Sequence, residues 1–316
     1  MKPPVRIRHS SIGQSAWESA TMPVPPLLRL HVRSWIGTSE TSTARCRHRE
    51  MPGPQVILLF QFGLPVRISG YGAGARHSDH RHGLVAGLYD SFVTVEHDGY
   101  DACVQVNLTP LGARALLGLP LTEISGTVVD LSDLLPNARN LSDRLASTTS
   151  WAERFRLVEA VLLERLLLRA NVRLDIAWAV KQIDASGGLT KIGALASALH
   201  MSRKHLHALF RDHVGMPPKL YANLVRFDRL NLRILASADS KWADLALESG
   251  FADQAHMGRE VRRFSGLSPT ALRAYLAEMA SLCGEDVLAQ VSVEPGVASS
   301  TQSARRELAN LVGLAR

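Results

Sequence analysis

Two periodicities divide the chain. From Gln55 onward, short β-branched and apolar runs recur at residues 56–62, 66–68, 84–86, 91–95 and 102–108, punctuated by Gly, Pro, Asp and His. Runs of that length between turn formers predict an antiparallel sheet or small barrel. Residues 110–117 then read as helix and 121–135 as a loop. From about 150 to 169, Phe155, Val158, Leu162 and Leu166 fall on one stripe, with Arg154, Glu159, Glu164 and Arg165 among the polar positions. That spacing is an amphipathic helix. Beyond Asn171 the pattern is all helix to about Leu282.

The two ends lack such order. Residues 1–50, rich in Ser, Thr, Pro and Arg, are expected to form a mobile basic leader with one strand near 27–32. The tail, 283–316, is rich in Ser, Val and Gly, with a short helical pattern only at 304–314. The expected architecture is α+β. A small, barrel-like β-rich domain (51–171) ends in a helix and precedes an all-α domain (172–282).

Composition narrows the function. Hydrophobic residues make up 46% of the 316 and charged residues 21%, the balance of an ordinary globular chain. The net charge of +7 favours a polyanionic partner. Residues 172–280 hold 15 Lys and Arg against 10 Asp and Glu, so most of the basic excess sits on the helical part. Cys46, Cys103 and Cys283 are odd in number and widely spaced, which points to no disulfide framework and to a reducing, cytoplasmic setting. Apolar runs are far shorter than the roughly 20 residues of a membrane span, so no membrane partner is expected.

The helical part repeats itself at about 50 residues. In the first copy, 192–199 is a short apolar helix, His200-Met201 a turn, Ser202 an N-cap, 203–212 a second helix, and Gly215-Met-Pro-Pro its end. In the second, 242–249 is the helix, Gly250-Phe-Ala the turn, Asp253 the N-cap, 254–263 the next helix, and Gly266-Leu-Ser-Pro the end. Ala196 and Ala246 correspond at an offset of 50; Ser202/Asp253, Leu206/Met257, Phe210/Val261, Gly215/Gly266 and Pro218/Pro269 at 51. One inserted turn residue explains the change. A small residue lets the two helices of each copy cross closely, and the i,i+4 apolar pairs bury one face of the second helix. The other face stays polar: Arg203, Lys204, His207 and Arg211 in copy one; Gln254, His256, Arg259 and Arg263 in copy two. Such a helix suits a DNA major groove. Ordinary solvated faces of a helical bundle are the competing reading, and two copies in register on a basic background weigh against it.

Residues 246–269, with Gly250-Phe-Ala-Asp-Gln and Gly266-Leu-Ser-Pro, resemble the signature of the AraC/XylS family of bacterial transcription regulators. The resemblance covers about 172–280. It implies seven helices, with two helix-turn-helix units joined by a long helix, here from Pro218 to about Ala236. Val261 and Ser265 depart from it, standing where aromatics are frequent, and are expected to loosen packing in the second unit. Carried over by position, Lys204, His207 and Ala208 in copy one, and Gln254, His256 and Arg259 in copy two, would read bases. Ala208 could at most touch a thymine methyl. Arg203, Arg211, Arg262 and Arg263 are the candidates for phosphate. The implied partner is double-stranded DNA. RNA polymerase, a small-molecule effector and a second copy of the chain are further candidates, in the bacterial cytoplasm on the nucleoid. No cofactor is expected.

Family members often carry an effector-sensing or dimerising domain ahead of the DNA-binding part, and residues 55–110 loosely resemble one. Phe60-Gln-Phe62 and Tyr71-Gly-Ala-Gly could line a pocket or serve as core and turn. His77, His80 and His82 alternate as metal ligands on a strand would, with His97 as a further candidate; a polar loop is the competing reading, and no metal is assigned. No catalytic set stands out, so the chain is not expected to be an enzyme. Two other classes stay open: a metal-dependent β-barrel enzyme with a helical appendage, and a repair protein with an alkyl-accepting Cys46 or Cys103.

Overall fold

The computed structural model describes residues 4–12, 15–70, 78–169, 173–236 and 240–283. Its first half is an antiparallel sheet built from β1 (Arg6–Ile12), β2 (Ser15–Thr21), β3 (Val32–Glu50), β4 (Val56–Gln61), β5 (Val66–Ser69), β6 (Ser78–His80), β7 (Gly83–Ala86), β8 (Val93–Leu108) and β9 (Val128–Asp130). The order is β1-β2-β3-β8-β4-β7-β9, with β5 pairing β8 and β6. The helices are α1 (Pro110–Leu117), α2 (Leu131–Leu134), α3 (Ala138–Ser147), α4 (Trp151–Arg169), α5 (Leu174–Ser186), α6 (Ile192–Ala198), α7 (Arg203–Val214), α8 (Pro218–Ala236), α9 (Trp242–Glu248), α10 (Gln254–Ser265) and α11 (Pro269–Cys283).

The alternation that predicts the strands also sorts their side chains. Val56, Leu58 and Phe60 of β4, with Val104, Val106 and Leu108 of β8, join the main core that includes Phe155, Val158 and Leu162 of α4. Ile57 and Leu59 point the other way and pack with Val66, Ile68, Leu84 and Val93 in a second cluster. The expected α4 stripe is buried throughout, Phe155 and Val158 completely. Arg154 does not project into solvent: its guanidinium lies 4.5 Å from the Trp151 ring and 4.6 Å from that of Phe62. Phe60 and Phe62 are core residues.

Residues 1–50 differ most from expectation. Instead of a mobile leader they supply β1, β2 and β3, and the segment expected as a strand contains a short 3-10 helix, Pro26–Leu28, just before β3. Polar edge strands hide their pairing from a search for hydrophobic runs; β2 reads SAWESAT, with mixed burial. The expected loop 121–135 holds a 3-10 turn (Leu121–Glu123), β9 and α2, and α3 follows. Local chemistry fixes α1: the Thr109 hydroxyl accepts the Gly112 N–H at 2.9 Å and Pro110 starts the helix.

The sheet and the C-terminal helices are bonded together. Arg33 of β3 donates from Nη2 to Asp184 of α5 and to the hydroxyl of Tyr221 of α8, both at 2.9 Å. That hydroxyl donates in turn to Asp184 Oδ1 at 2.9 Å. Burial opposes the Arg33 charge, but Asp184, Tyr221 and Asp228 together outweigh it and raise the guanidinium pKa. Burial, reinforced by Asp184, pushes the Tyr221 hydroxyl well above its ordinary value, so it remains a donor. A second link joins Arg49 to the helices: its carbonyl accepts from Tyr275 of α11 at 2.5 Å and its guanidinium donates to the Ser265 carbonyl at 3.2 Å.

Candidate nucleic-acid interface

The two repeats fold into the same local device. In each turn, a backbone N–H reaches back five residues to the small residue of the first helix: Met201 to Ala196 and Phe251 to Ala246, both at 2.9 Å. This is the bond of a Schellman helix end, which requires a left-handed residue just before the donor. Gly250 (φ 75°) fills that place in the second unit; His200 (φ 53°) fills it in the first, the one non-glycine with positive φ among the described residues. Ser202 and Asp253 then cap the second helices, accepting from the N–H of His205 (3.1 Å) and His256 (2.6 Å). Left-handed Gly215 and Gly266 end α7 and α10.

Burial follows the expected seams. Ala196 and Ala246 are buried, as are Leu206 with Phe210 and Met257 with Val261. Packing of the second unit is not loosened as Val261 and Ser265 suggest. Phe264, fully buried, meets Phe227 of α8 with ring centroids 5.0 Å apart. Ser265 turns its hydroxyl to the Val261 carbonyl at 2.7 Å. The aromatic is thus supplied one residue earlier, and the serine is satisfied locally.

The opposite faces reach solvent. Arg203, Lys204, His207, Ala208 and Arg211 of α7 are exposed, as are Gln254, Arg259, Arg262 and Arg263 of α10. His256 is half-buried, with its ring edge-on to Phe251 at 5.5 Å. Arg263 is already engaged: its Nη2 lies 2.8 Å from Asp90 in the loop between β7 and β8. Nothing in the repeat signals this pairing, because Asp90 belongs to the other half of the chain.

A cavity of about 200 Å³ lies between the second apolar face of the sheet and helices α8 and α11. Ile57, Leu59, Val66 and Ile68 form its apolar wall; Asp228 and Asn231 of α8 and Tyr275, Leu276 and Met279 of α11 close it. Glu40, His48, Glu50 and Asp101 add polar groups from the sheet. Burial raises the Asp101 carboxyl above its ordinary range. Their strand segments carry no motif that separates these acids from solvent-facing ones.

Among the candidate ligand histidines, His77 lies outside the described residues. His80 is buried, with one ring nitrogen 2.8 Å from Ser78 and the other 3.3 Å from Asp130. Among the described residues, a group with metal-ligating atoms close together is Glu40, Cys46 and His97. His97 bonds Glu40 at 2.9 Å, and the Cys46 thiol donates to the same carboxylate at 3.0 Å. Burial and this carboxylate raise the Cys46 thiol pKa, and burial raises that of Cys103 further. Neither is an activated nucleophile. The Tyr71-Gly-Ala-Gly turn and the 304–314 helix also fall outside the described residues. No helix among the described residues is long and apolar enough to cross a membrane.

Residues 195–275 match the family described as "Helix-turn-helix domain". Two curated relatives are the HTH-type transcriptional activator RhaS of Escherichia fergusonii, 31% identical over 80 residues, and the HTH-type transcriptional regulator MtrA of Neisseria gonorrhoeae, 30% identical over 93. The matches cover 25% and 29% of this chain, and the chain spans only 28% and 31% of the relatives' own length. Among solved structures, ToxT from Vibrio cholerae is 10% identical, covering 73% of this chain and 97% of that one with a TM-score of 0.44. The AraC-like transcriptional activator CuxR is 15% identical, covering 74% and 87% with a TM-score of 0.29.

Proposed function

We propose that the chain, whose residues 195–275 match a helix-turn-helix domain family, is a sequence-specific, double-stranded-DNA-binding regulator of transcription of AraC type. The observation that supports this most is the repeated unit, with the same turn, caps and buried seam, leaving a basic face on both α7 and α10. Lys204, His207 and Ala208 in the first unit, and Gln254, His256 and Arg259 in the second, read bases. Arg203, Arg211, Arg262 and Arg263 hold phosphates. The cytoplasmic nucleoid is its place of action; RNA polymerase and a second copy of the chain are its protein partners.

The cavity receives a small-molecule effector. Its walls come from the sheet and from the two long helices that flank the second unit, so a ligand there touches both halves. Differential binding to two relative positions of those halves is what ligand control requires.

Selection of bound duplexes from a random pool by the full chain, followed by titration at several salt concentrations, tests the reading. A defined consensus, with log affinity falling steeply against log salt, is expected. Absence of a consensus, or affinity insensitive to salt, overturns it.

A further inference from the structure

We propose that the cavity between the sheet and helices α8 and α11 selects an amphipathic organic cation, an alkyl or aryl amine whose ammonium group meets Asp101, Glu50 and Asn231 while its apolar part lies on the sheet. This inference rests on the reading of the cavity as the effector site and names the chemistry of its ligand.

The cavity's polar groups are unbalanced. Glu40, Glu50 and Asp101 bring three carboxyl groups from the sheet to its lining. The cations available to them are few. Arg49 spends its guanidinium over the Phe92 ring, 4.4 Å from the centroid, and on the Ser265 carbonyl. His48 lies 3.3 Å from Glu50, and His97 is committed to Glu40. Asp101 accepts at 2.7 Å from Gln61, a neutral donor. His48 and His97 act on Asp101 only through space; burial of a carboxylate whose hydrogen-bond donor is neutral is costly, and a ligand cation placed beside it lowers that cost.

Asn231 points independently to a donor. The residue is only 4% exposed and lines the cavity, and among the described residues its Oδ1 finds no hydrogen-bond partner. A buried carbonyl oxygen left without a donor is destabilising. It cannot be satisfied by a carboxylate or ether, which have no hydrogen to give; an ammonium has three. The remaining wall, Ile57, Leu59, Val66 and Ile68, has no polar side chain and suits a hydrocarbon. An anionic amphiphile is excluded from the same place by the carboxylates.

Three probes of equal length separate the possibilities: octylammonium, octanol and octanoate, each below its micelle concentration. Calorimetric titration into the full chain is expected to show one octylammonium site, weaker octanol binding and no octanoate binding. Asp101→Asn, which keeps shape and removes charge, should weaken octylammonium about ten- to hundredfold and leave octanol unchanged. Asn231→Leu should weaken octylammonium as well without touching any charge, and should weaken octanol too, whose hydroxyl is also a donor. Equal affinity for the three probes, preference for octanoate, or octylammonium binding unaffected by both variants overturns the inference. Duplex binding by the same unliganded preparations reports separately on regulation. Intact DNA binding without a cation site sinks only this inference; a cation site in a chain that binds no duplex sinks only the proposed function.

Discussion

Arg263 of α10 and Asp90, in the loop between β7 and β8, form an ion pair at 2.8 Å, with both side chains nearly half exposed. Beside them, Phe92 packs against Gly266, where an added Cβ would lie 2.4 Å from the ring. That loop therefore holds one of the four candidate phosphate contacts. An exposed pair is worth only about 0–1 kcal/mol, so under the proposed function it would bias duplex binding without blocking it. Asp90→Ala is expected to tighten duplex binding a few-fold at low salt and to steepen the salt slope slightly. Unchanged affinity and slope would show that Asp90 does not restrain Arg263 against DNA.

Base reading and anchoring should separate on α10. Arg259 and Arg262 are both exposed. Arg259→Ala is expected to relax preference at one or two adjacent base pairs, a loss of about 1–3 kcal/mol of discrimination. Arg262→Ala should weaken all sequences alike and lower the salt slope by about one. Random-pool selection with each folded variant decides it. An Arg259→Ala protein that selects the same consensus with the same stringency means that the register assigned to this helix is wrong.

The Arg33–Asp184–Tyr221 cluster ties the halves together. Removing one member of a buried pair leaves an uncompensated charge. Arg33→Met is expected to cost about 3 kcal/mol in urea unfolding, and Asp184→Asn added to it should recover part of that loss. Additive costs in the double variant would argue that the two residues do not interact energetically.

His200 occupies a left-handed position that its counterpart Gly250 fills without strain. His200→Gly is expected to stabilise the first unit by up to about 1 kcal/mol, less the greater entropy of the unfolded chain. Thermal unfolding measures the balance. A lowered Tm would mean that the entropy of the unfolded chain, or a contact of the His200 side chain, outweighs the backbone strain.

Thiol chemistry distinguishes regulator from alkyl acceptor. In a Cys283→Ser background, iodoacetamide at neutral pH is expected to modify Cys46 slowly and Cys103 only after unfolding. Burial raises both thiols, and Cys103 is only 4% exposed. Rapid native alkylation of Cys103 would reopen the repair reading.

The sequence by itself determined what depends on neighbours along the chain. The turns, caps and i,i+4 seams of both helix-turn-helix units are local, so Ser202, Asp253, Gly250, Gly266 and the exposed basic faces were all legible from spacing. So were the central strands β4 and β8, whose apolar alternation is strong, and the buried stripe of α4. Tertiary structure decided what depends on distant partners. The polar strands β1 and β2 exist because β3 offers them an edge to pair with, which no local pattern records. Phe264 takes over a packing place that Val261 and Ser265 leave unfilled, because Phe227 of α8 lies opposite. The Arg263–Asp90 pair spans 173 residues, and the sheet acids share a cavity with Asn231 only after α8 is laid across the sheet. A side chain's role in such places is set by what folding brings against it, and that contact is absent from the sequence around it.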